Sequence, residues 1–203
     1  FPVYVGSIRD ACVIFNVLGQ SACYCKACHH AFCRNLVRKR WCVRSVFYMH
    51  MMMKLTYRLD NEAHTLAFGN AIAPLLKPGD VIALHGGLGV GKTTFTRGLV
   101  RALIPDIQEV PSPTYTLVQA YEAPDFPVWH FDLYRLGSPD EMAEIGWDET
   151  PEGVAIVEWP EKAGKHLPAW RLDIVFDFEG EHRLVSLEPH GEDWRARCNE
   201  FQF

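Results

Sequence analysis

A glycine-rich segment at residues 86–93 limits this chain to few folds, because it reads Gly-Gly-Leu-Gly-Val-Gly-Lys-Thr. It fits the pattern G-x-x-x-x-G-K-[ST]. A short apolar run at residues 81–84 leads directly into it, and helical periodicity follows from about Lys92 to Leu103. A strand, a glycine-rich loop and a helix in this order are typical of phosphate-binding loops, in which backbone N–H groups point at phosphate oxygens. The segment therefore predicts a site for a nucleoside triphosphate.

Each part of this segment has an expected role. The residues predicted to contact the nucleotide are Gly86, Gly87, Leu88, Gly89, Val90, Gly91, Lys92, Thr93 and Thr94. Lys92 is expected to reach the β and γ phosphates, and the hydroxyl of Thr93 is expected to bind Mg²⁺. The predicted cofactors are therefore ATP and Mg²⁺.

Two acids end apolar segments, at positions where the strands of an open α/β sheet place ligand-binding residues. Asp132 ends one such segment and is predicted to bind Mg²⁺ directly or through water. Glu158 ends another, and its longer side chain would position the attacking water or complete the metal shell. Lys92, Asp132 and Glu158 are therefore the candidate catalytic residues, and Thr93, Asp132 and Glu158 are the candidate metal ligands. The alternative for each acid is a surface residue that ends a strand.

The order of apolar segments predicts an α/β fold of the P-loop NTPase type, with a mixed, mostly parallel sheet flanked by helices and a C-terminal β-hairpin. Strands are predicted at residues 55–59, 81–84, 115–121, 128–133, 154–157, 172–178 and 184–187. The last two are joined around Gly180, which is why a hairpin is expected. Helices are predicted to begin at Asp60 or Asn61, at about Lys92, and at Ser138 or Pro139.

Charge and cysteine content divide the chain at Met53. Residues 1–53 contain seven Lys and Arg against one acid, whereas residues 54–203 contain thirteen against twenty-four. Six of the seven cysteines lie in the first 42 residues. Residues 1–53 are interpreted as a basic, Cys-rich extension that is either disordered or translated upstream sequence, with the true start near residues 51–53. Residues 54–190 are the predicted P-loop domain, and residues 191–203 are a predicted C-terminal tail.

The extension also holds a cluster of metal-binding residue types. These are Cys23, Cys25, Cys28, His29, His30 and Cys33. Thiolates and imidazoles this close together can bind zinc. A standard zinc finger or ribbon, however, needs a second ligand pair one folded unit away, and the only thiol that follows nearby is Cys42. The spacing therefore argues against a zinc site.

Composition excludes some classes of function. Charged residues or prolines interrupt every apolar stretch before it reaches the roughly 18 residues of a membrane-spanning helix, so no membrane protein is expected. Residues 54–203 are strongly acidic, which argues against a broad nucleic-acid surface and against DNA binding. Because this part has a single cysteine, Cys198, a reducing, cytoplasmic location is expected.

Three further motifs follow the glycine-rich segment along the chain. They are Ser112-Pro113-Thr114-Tyr115-Thr116-Leu117-Val118, His130-Phe131-Asp132-Leu133-Tyr134-Arg135 and Glu158-Trp159-Pro160-Glu161. In this order, and together with the loop, they resemble the TsaE (formerly YjeE) family, bacterial ATPases of tRNA threonylcarbamoyladenosine synthesis. The resemblance extends over about residues 55–187.

The resemblance implies a small α/β ATPase that joins the TsaB and TsaD proteins. Its ATP hydrolysis, slow without these partners, would keep their threonylcarbamoyl transfer to tRNA cycling. The modified base is the adenosine next to the anticodon, position 37, in tRNAs that read codons beginning with A. The partners would make most of the contact with tRNA.

The resemblance also implies roles for individual residues. The candidate catalytic and metal-binding residues named above keep the same roles. In addition, Trp159 would lie beside the nucleotide, and Thr114 would lie in a switch-like loop near the γ phosphate. This chain departs from the family at Gly87, where an acid is usual, so a charge near the site is removed while the phosphate contacts stay intact.

Some of these residues have a second interpretation. The hydroxyl of Thr114 either contacts the metal or the γ phosphate, which the pattern favours, or stands where a strand begins. Trp159 either packs on the nucleotide or is part of the core. Arg135 either stabilises charge on the phosphoryl group or, as is commoner, pairs with local acids.

Other residues near the loop are interpreted as structural. Arg97 and Arg101, four residues apart, are expected on the solvated face of the helix, with contact to a partner or a tRNA phosphate as the alternative. His85 and His130 flank the functional strands, but no nucleophile pairs with them, so both are predicted to be structural.

Two other functions remain open at this point. A small-molecule kinase would use the same loop, but such enzymes generally close a lid of arginines over the phosphates, and residues 137–169 contain no arginine. A nucleotide-gated binding module would use ATP to order residues 111–116, with hydrolysis incidental.

Overall fold

The computed structural model describes residues 3–5, 12–17, 20–25 and 55–203. In the first 25 residues, β1 (Val3–Val5), β2 (Cys12–Val17) and β3 (Gln20–Cys25) form an antiparallel sheet in the order β1-β2-β3. These strands belong to the first of two units, and residues 54–203 make up the second. The side chains of the Cys and His cluster lie outside the described residues. The interpretation of residues 1–53 as an extension stays a prediction.

The second unit is built on a seven-stranded sheet in the order β4-β10-β9-β5-β8-β7-β6. Its strands are β4 (Leu55–Leu59), β5 (Val81–His85), β6 (Val118–Glu122), β7 (Pro127–Asp132), β8 (Val154–Glu158), β9 (Arg171–Glu179) and β10 (His182–His190). Strands β9, β5, β8 and β7 run parallel, whereas β4, β10 and β6 each join by antiparallel pairing. The predicted mixed sheet with a β9–β10 hairpin is therefore confirmed.

Three α-helices accompany the sheet, α1 (Glu62–Ile72), α2 (Lys92–Leu103) and α3 (Glu192–Glu200). Asn61 begins α1, since its side chain accepts a hydrogen bond from the backbone N–H of His64. Helices α1 and α2 touch closely: a Cβ on Gly98 would lie 2.1 Å from the carbonyl oxygen of Leu66. Among the described residues, no helix is long and apolar enough to cross a membrane.

Both faces of the central strands are buried, as is usual where parallel strands are covered on two sides. In β8, Ile156 faces the core beneath α1 and α2, which includes Phe68 and Phe95. Val157, its neighbour in sequence, faces a second core on the opposite side, together with Trp147. The central strands are therefore held rigidly, and their carboxyl ends can carry a precisely placed site.

Two local predictions differ from the structure. The strand expected from residue 115 begins only at Val118, because residues 113–117 form a turn closed by the N–H of Leu117 donating to the carbonyl of Pro113. Leu117 itself has a positive φ of 66°, which a strand does not allow. The helix expected from Ser138 is instead a pair of 3₁₀ segments, Pro139–Ile145 and Trp147–Glu152, since Gly146 interrupts it.

Short 3₁₀ segments also lie at Ala73–Leu75, Leu133–Arg135, Pro160–Lys162 and Gly164–His166. The last thirteen residues, set apart above as a tail, contain α3, and Trp194 and Cys198 lie in the core beneath α1 and α2. Arg197 of α3 also forms an ion pair with the buried Asp80, at 2.8 Å from Nη2 to Oδ1. Because most residues of α3 are polar or charged, the pattern of apolar residues does not reveal its few buried positions.

Replacing Trp194 by Ala is expected to destabilise the protein by about 3–5 kcal/mol, because its ring is 3% exposed and its removal leaves a cavity. Trp170 provides the matched control, since it is 72% exposed and its replacement by Ala should change stability by less than about 0.5 kcal/mol. Urea unfolding of the two full-length variants measures both values. Equal stability of the two would show that α3 contributes nothing to the domain.

Candidate nucleotide-binding site

The glycine-rich loop connects the end of β5 to the start of α2 and needs glycine for its backbone. Gly86, Gly89 and Gly91 have φ values of 131°, 72° and 116°, which residues with a Cβ rarely adopt. A Cβ on Gly86 would lie 2.5 Å from the carbonyl oxygen of Phe176, so one side of the loop packs on β9. A Cβ on Gly89 would meet nothing within 4 Å. The loop is thus anchored on one side and open on the other.

Lys92 lies inside this loop and is only 4% exposed. Its Nζ donates to the carbonyl oxygens of Gly86 and Gly87, at 2.7 and 2.9 Å. Burial lowers the pKa of the Lys92 ammonium, whereas the nearby negative charges of Glu158 and Asp132 act to raise it. The ammonium is therefore fixed at the mouth of the loop, where phosphate oxygens would meet it.

Asp132 and Glu158 stand side by side at the ends of neighbouring parallel strands. In the register of β7 and β8 they are directly paired, and Leu84 of β5 is paired with Glu158 on the other side. Both carboxylates are buried, with 3% of each residue exposed. The carboxyl ends of β5, β8 and β7 therefore bring both acids to the glycine-rich loop, as expected from the sequence.

Glu158 is hydrogen-bonded to the first turn of α2. The hydroxyl of Thr93 donates to its Oε1 at 2.8 Å. His130, on β7, places Nε2 at 3.0 Å from the same oxygen. Oε1 of Glu158 is thus contacted by two side chains, one from α2 and one from β7.

Asp132 is held by the loop that precedes β6. The hydroxyls of Thr114 and Ser112 donate to its Oδ2 at 2.6 and 3.3 Å, and they lie 2.9 Å from each other. The backbone N–H of Tyr134 donates to Oδ1 at 3.1 Å. The structure therefore brings Thr114 to the acid predicted to bind the metal.

Trp159 has an unusual backbone and lies at the site. Its φ and ψ are 59° and 50°, a left-handed conformation that costs about 1–3 kcal/mol for a residue with a large side chain. The Lys92 ammonium lies 4.1 Å from the centre of its ring, and the ring of Tyr134 is 5.0 Å away. Trp159 is partly buried at the edge of the second core, and its contact with a nucleotide stays a prediction.

The remaining loop residues differ in exposure. Thr94 lies in the first turn of α2, Val90 is buried, and Leu88 is highly exposed at the tip of the loop. Gly87 leaves open space where a side chain would stand. These positions fit a loop whose outer side is accessible to a ligand.

Several residues considered above lie away from the two acids. Arg135 stacks on Tyr115, with its guanidinium carbon 4.6 Å from the ring centre, so it does not form the predicted pair with a local acid among the described residues. Nε of Arg97 donates to the carbonyl of Val110, and Arg97 lines a groove of about 220 Å³ with Arg101. Nε2 of His85 lies 3.4 Å from Oδ2 of Asp173.

Sequence reasoning missed three residues that contact this site. Ser112 stood in a motif but received no role, and His130 was interpreted as structural. Spacing gives a signal for His130, because residues two apart in a strand share a face and His130 precedes Asp132 by two. The third, Arg183 of β10, donates from Nε to the carbonyl of Val90 at 3.0 Å, and no sequence signal precedes it.

The residues present fit Mg²⁺ and a nucleotide. A hydroxyl and two carboxylates provide the oxygen ligands that Mg²⁺ prefers, and the loop N–H groups with Lys92 suit phosphate. Within the described part of the chain, no group of three or more His, Cys, Asp or Glu side chains forms a ready metal site.

Comparison with known proteins shows which family this chain is similar to. Residues 59–185 match the family model described as "Threonylcarbamoyl adenosine biosynthesis protein TsaE". A relative in Bacillus subtilis, named tRNA threonylcarbamoyladenosine biosynthesis protein TsaE, is 38% identical over 153 residues, which is 73% of this chain and 94% of the relative. A protein of the same name in Haemophilus influenzae is 34% identical over 143 residues, or 67% of this chain and 90% of that protein.

A solved structure supports the same grouping. The crystal structure of Bacillus subtilis YdiB is similar to this chain with a TM-score of 0.61 and 32% sequence identity. The similarity covers 73% of this chain and 93% of YdiB. The α/β sheet is therefore shared over nearly the whole of that protein.

Proposed function

Because this chain belongs to the TsaE family of threonylcarbamoyl adenosine biosynthesis proteins, we propose that it is the Mg²⁺-dependent ATPase subunit of tRNA threonylcarbamoyladenosine synthesis. It works with TsaB and TsaD, and the product is modified adenosine 37 in tRNAs that read codons beginning with A. One observation supports the ATPase activity above all others: Lys92, Thr93, Glu158 and Asp132 converge at one buried edge of the sheet.

The proposed chemistry assigns one task to each side chain. Lys92 binds the β and γ phosphates, and Thr93 and Asp132 hold Mg²⁺, which neutralises charge on the phosphate oxygens when bound. Glu158 orients the attacking water and receives its proton. The unbonded oxygen of Glu158 suits this task, since Oε1 accepts both hydrogen bonds and Oε2 accepts none among the described residues.

The loop before β6 has a proposed sensing role. Thr114 and Ser112 contact the acid predicted to hold the metal, so their positions depend on how Asp132 is occupied. Trp159 covers the Lys92 side of the site and would lie beside the nucleotide. The same contacts support the alternative of a nucleotide-gated module, in which ordering of this loop is the function and hydrolysis is incidental.

The proposed setting is the cytoplasm, where tRNA, TsaB and TsaD are available. The net charge of the whole chain is −5, and the excess of acids lies in residues 54–203. This charge supports tRNA binding mainly through the partners and no binding to DNA. No observation favours the small-molecule kinase, because residues 139–152 pack as two 3₁₀ segments and contain no arginine that could close over phosphates.

Reconstitution tests the proposal. The full-length protein is mixed with TsaB, TsaD, substrate tRNA, a threonylcarbamoyl donor and ATP, and threonylcarbamoyladenosine is measured over time. The proposal expects repeated rounds of modification only when this chain and ATP are both present. Modification that proceeds equally without this chain would contradict it, whereas stimulation that persists in a variant unable to hydrolyse ATP would favour the nucleotide-gated module.

A further inference from the structure

His130 occupies a position that a purely structural residue does not need. It lies in the middle of β7, is fully buried, and shares a face of the strand with Asp132. Its Nε2 lies 3.0 Å from Oε1 of Glu158, and its Nδ1 is buried with no hydrogen-bond partner. A buried polar atom without a partner costs about 1–3 kcal/mol, so an apolar side chain would serve packing better.

The hydrogen bonds of Glu158 are strongly one-sided. Oε1 accepts from the hydroxyl of Thr93 and faces Nε2 of His130, whereas Oε2 makes no hydrogen bond within the described residues. With Glu158 as a carboxylate, the contact is a hydrogen bond when Nε2 carries a proton to donate.

The two partners of Oε1 differ in what else they do. Thr93 is also a predicted Mg²⁺ ligand, so its oxygen has a second task when a nucleotide binds. His130 has no other hydrogen-bond partner in the described part of the chain and comes from the neighbouring strand. His130 is therefore the contact of Oε1 that has no competing hydrogen bond among the described residues.

We propose that His130 is a positioning residue, which holds Oε1 of Glu158 in place so that Oε2 faces the attacking water. The inference rests on the proposed ATPase function, since it assigns a water to the free oxygen of Glu158. A carboxylate held by one donor rather than two would rotate about its side-chain torsions. Misplacement of a reacting group by about 1 Å lowers rates by on the order of 100-fold.

Two variants separate positioning from packing. His130→Leu removes the donor and keeps an apolar side chain, whereas His130→Gln places an amide N–H near the position of Nε2. We expect the Leu variant to lower kcat for ATP hydrolysis by about 10- to 100-fold with little change in the Kd for ATP, and the Gln variant to restore much of the lost rate. His166→Leu is the matched control, because His166 also has a buried unpartnered nitrogen but lies in the segment Gly164–His166.

Some results of the rate measurements would contradict the proposal. Equal losses of kcat in the Leu and Gln variants, or a loss of ATP binding in both, would show that His130 acts through packing alone. A double variant His130→Leu with Glu158→Gln should be no slower than Glu158→Gln by itself, because His130 acts on the reaction only through Glu158. Losses that simply multiply would overturn the proposal.

A structural readout keeps the inference independent of turnover. In crystal structures of the nucleotide-free variants, the carboxylate of Glu158 should keep its wild-type orientation in His130→Gln, whereas in His130→Leu it should turn about the remaining hydrogen bond from Thr93 and move Oε2. An unmoved Glu158 in the Leu variant would overturn the positioning role. A wild-type protein that hydrolyses no ATP would instead overturn the proposed function, and the crystal comparison would still decide the role of His130.

Discussion

Replacing Glu158 by Gln is expected to lower kcat for ATP hydrolysis by about 10²- to 10⁴-fold, the usual contribution of a general base. Gln keeps the volume of the side chain and an acceptor oxygen for Thr93 and His130, so the hydrogen bonds around the site can persist. The glycine-rich loop and Lys92 are unchanged, so ATP binding should be retained. Single-turnover hydrolysis together with a direct binding titration separates the two effects.

Glu149→Gln provides a control for the loss of one negative charge. Glu149 is exposed in the 3₁₀ segment Trp147–Glu152, and no hydrogen bond or ion pair joins its side chain to the site residues described above. Its replacement should leave kcat and the Kd for ATP unchanged. A Glu158→Gln protein that hydrolyses ATP at the wild-type rate would show that Glu158 takes no part in the reaction.

Replacing Lys92 by Ala is expected to weaken ATP binding by on the order of 100-fold, because charge-assisted hydrogen bonds contribute about 1.5–3 kcal/mol each. The Nζ group of Lys92 donates to the carbonyls of Gly86 and Gly87 and so lies within the loop. Isothermal titration with ATP and Mg²⁺ measures the Kd. Hydrolysis should fall as well, since the same ammonium stabilises charge that develops on the phosphates.

Lys165→Ala is the matched control for this experiment. Its side chain is 77% exposed and lies near Asp140, an equally exposed acid, so its removal should have little effect. ATP binding of wild-type strength in Lys92→Ala would contradict the assignment of the loop as the phosphate site.

The phosphate loop could be predicted from sequence because its chemistry is local. The backbone N–H groups and the positive φ values lie within residues 86–93, and the helix that follows begins at Lys92, so a short pattern is sufficient to specify them. Asp132 and Glu158 could be predicted because each ends an apolar segment, and parallel strands end at one edge. The fold class followed from the order of these segments. The convergence of these side chains is now a structural fact, while their catalytic roles remain predictions.

The missed contacts depend on neighbours that are distant in sequence. The contact between His130 and Glu158 exists because β7 lies beside β8. The sequence of either strand alone does not predict which strand will be its neighbour. The bond from Arg183 to the carbonyl of Val90 spans 93 positions in the chain. The C-terminal helix was missed for a different reason, since its few buried residues are surrounded by charged ones. These contacts and this helix therefore depend on tertiary packing, which local sequence patterns do not predict.

Hydrolysis of ATP by the full-length protein, measured with Mg²⁺ and again with EDTA, tests the central claim most directly. The site described here predicts slow release of ADP that requires Mg²⁺ and is lost in the variant Asp132→Asn, because that carboxylate is a proposed ligand of the ion. Addition of excess Mg²⁺ to the EDTA sample should restore the wild-type rate. Equal hydrolysis with and without Mg²⁺, or a protein that binds no ATP under either condition, would contradict the account.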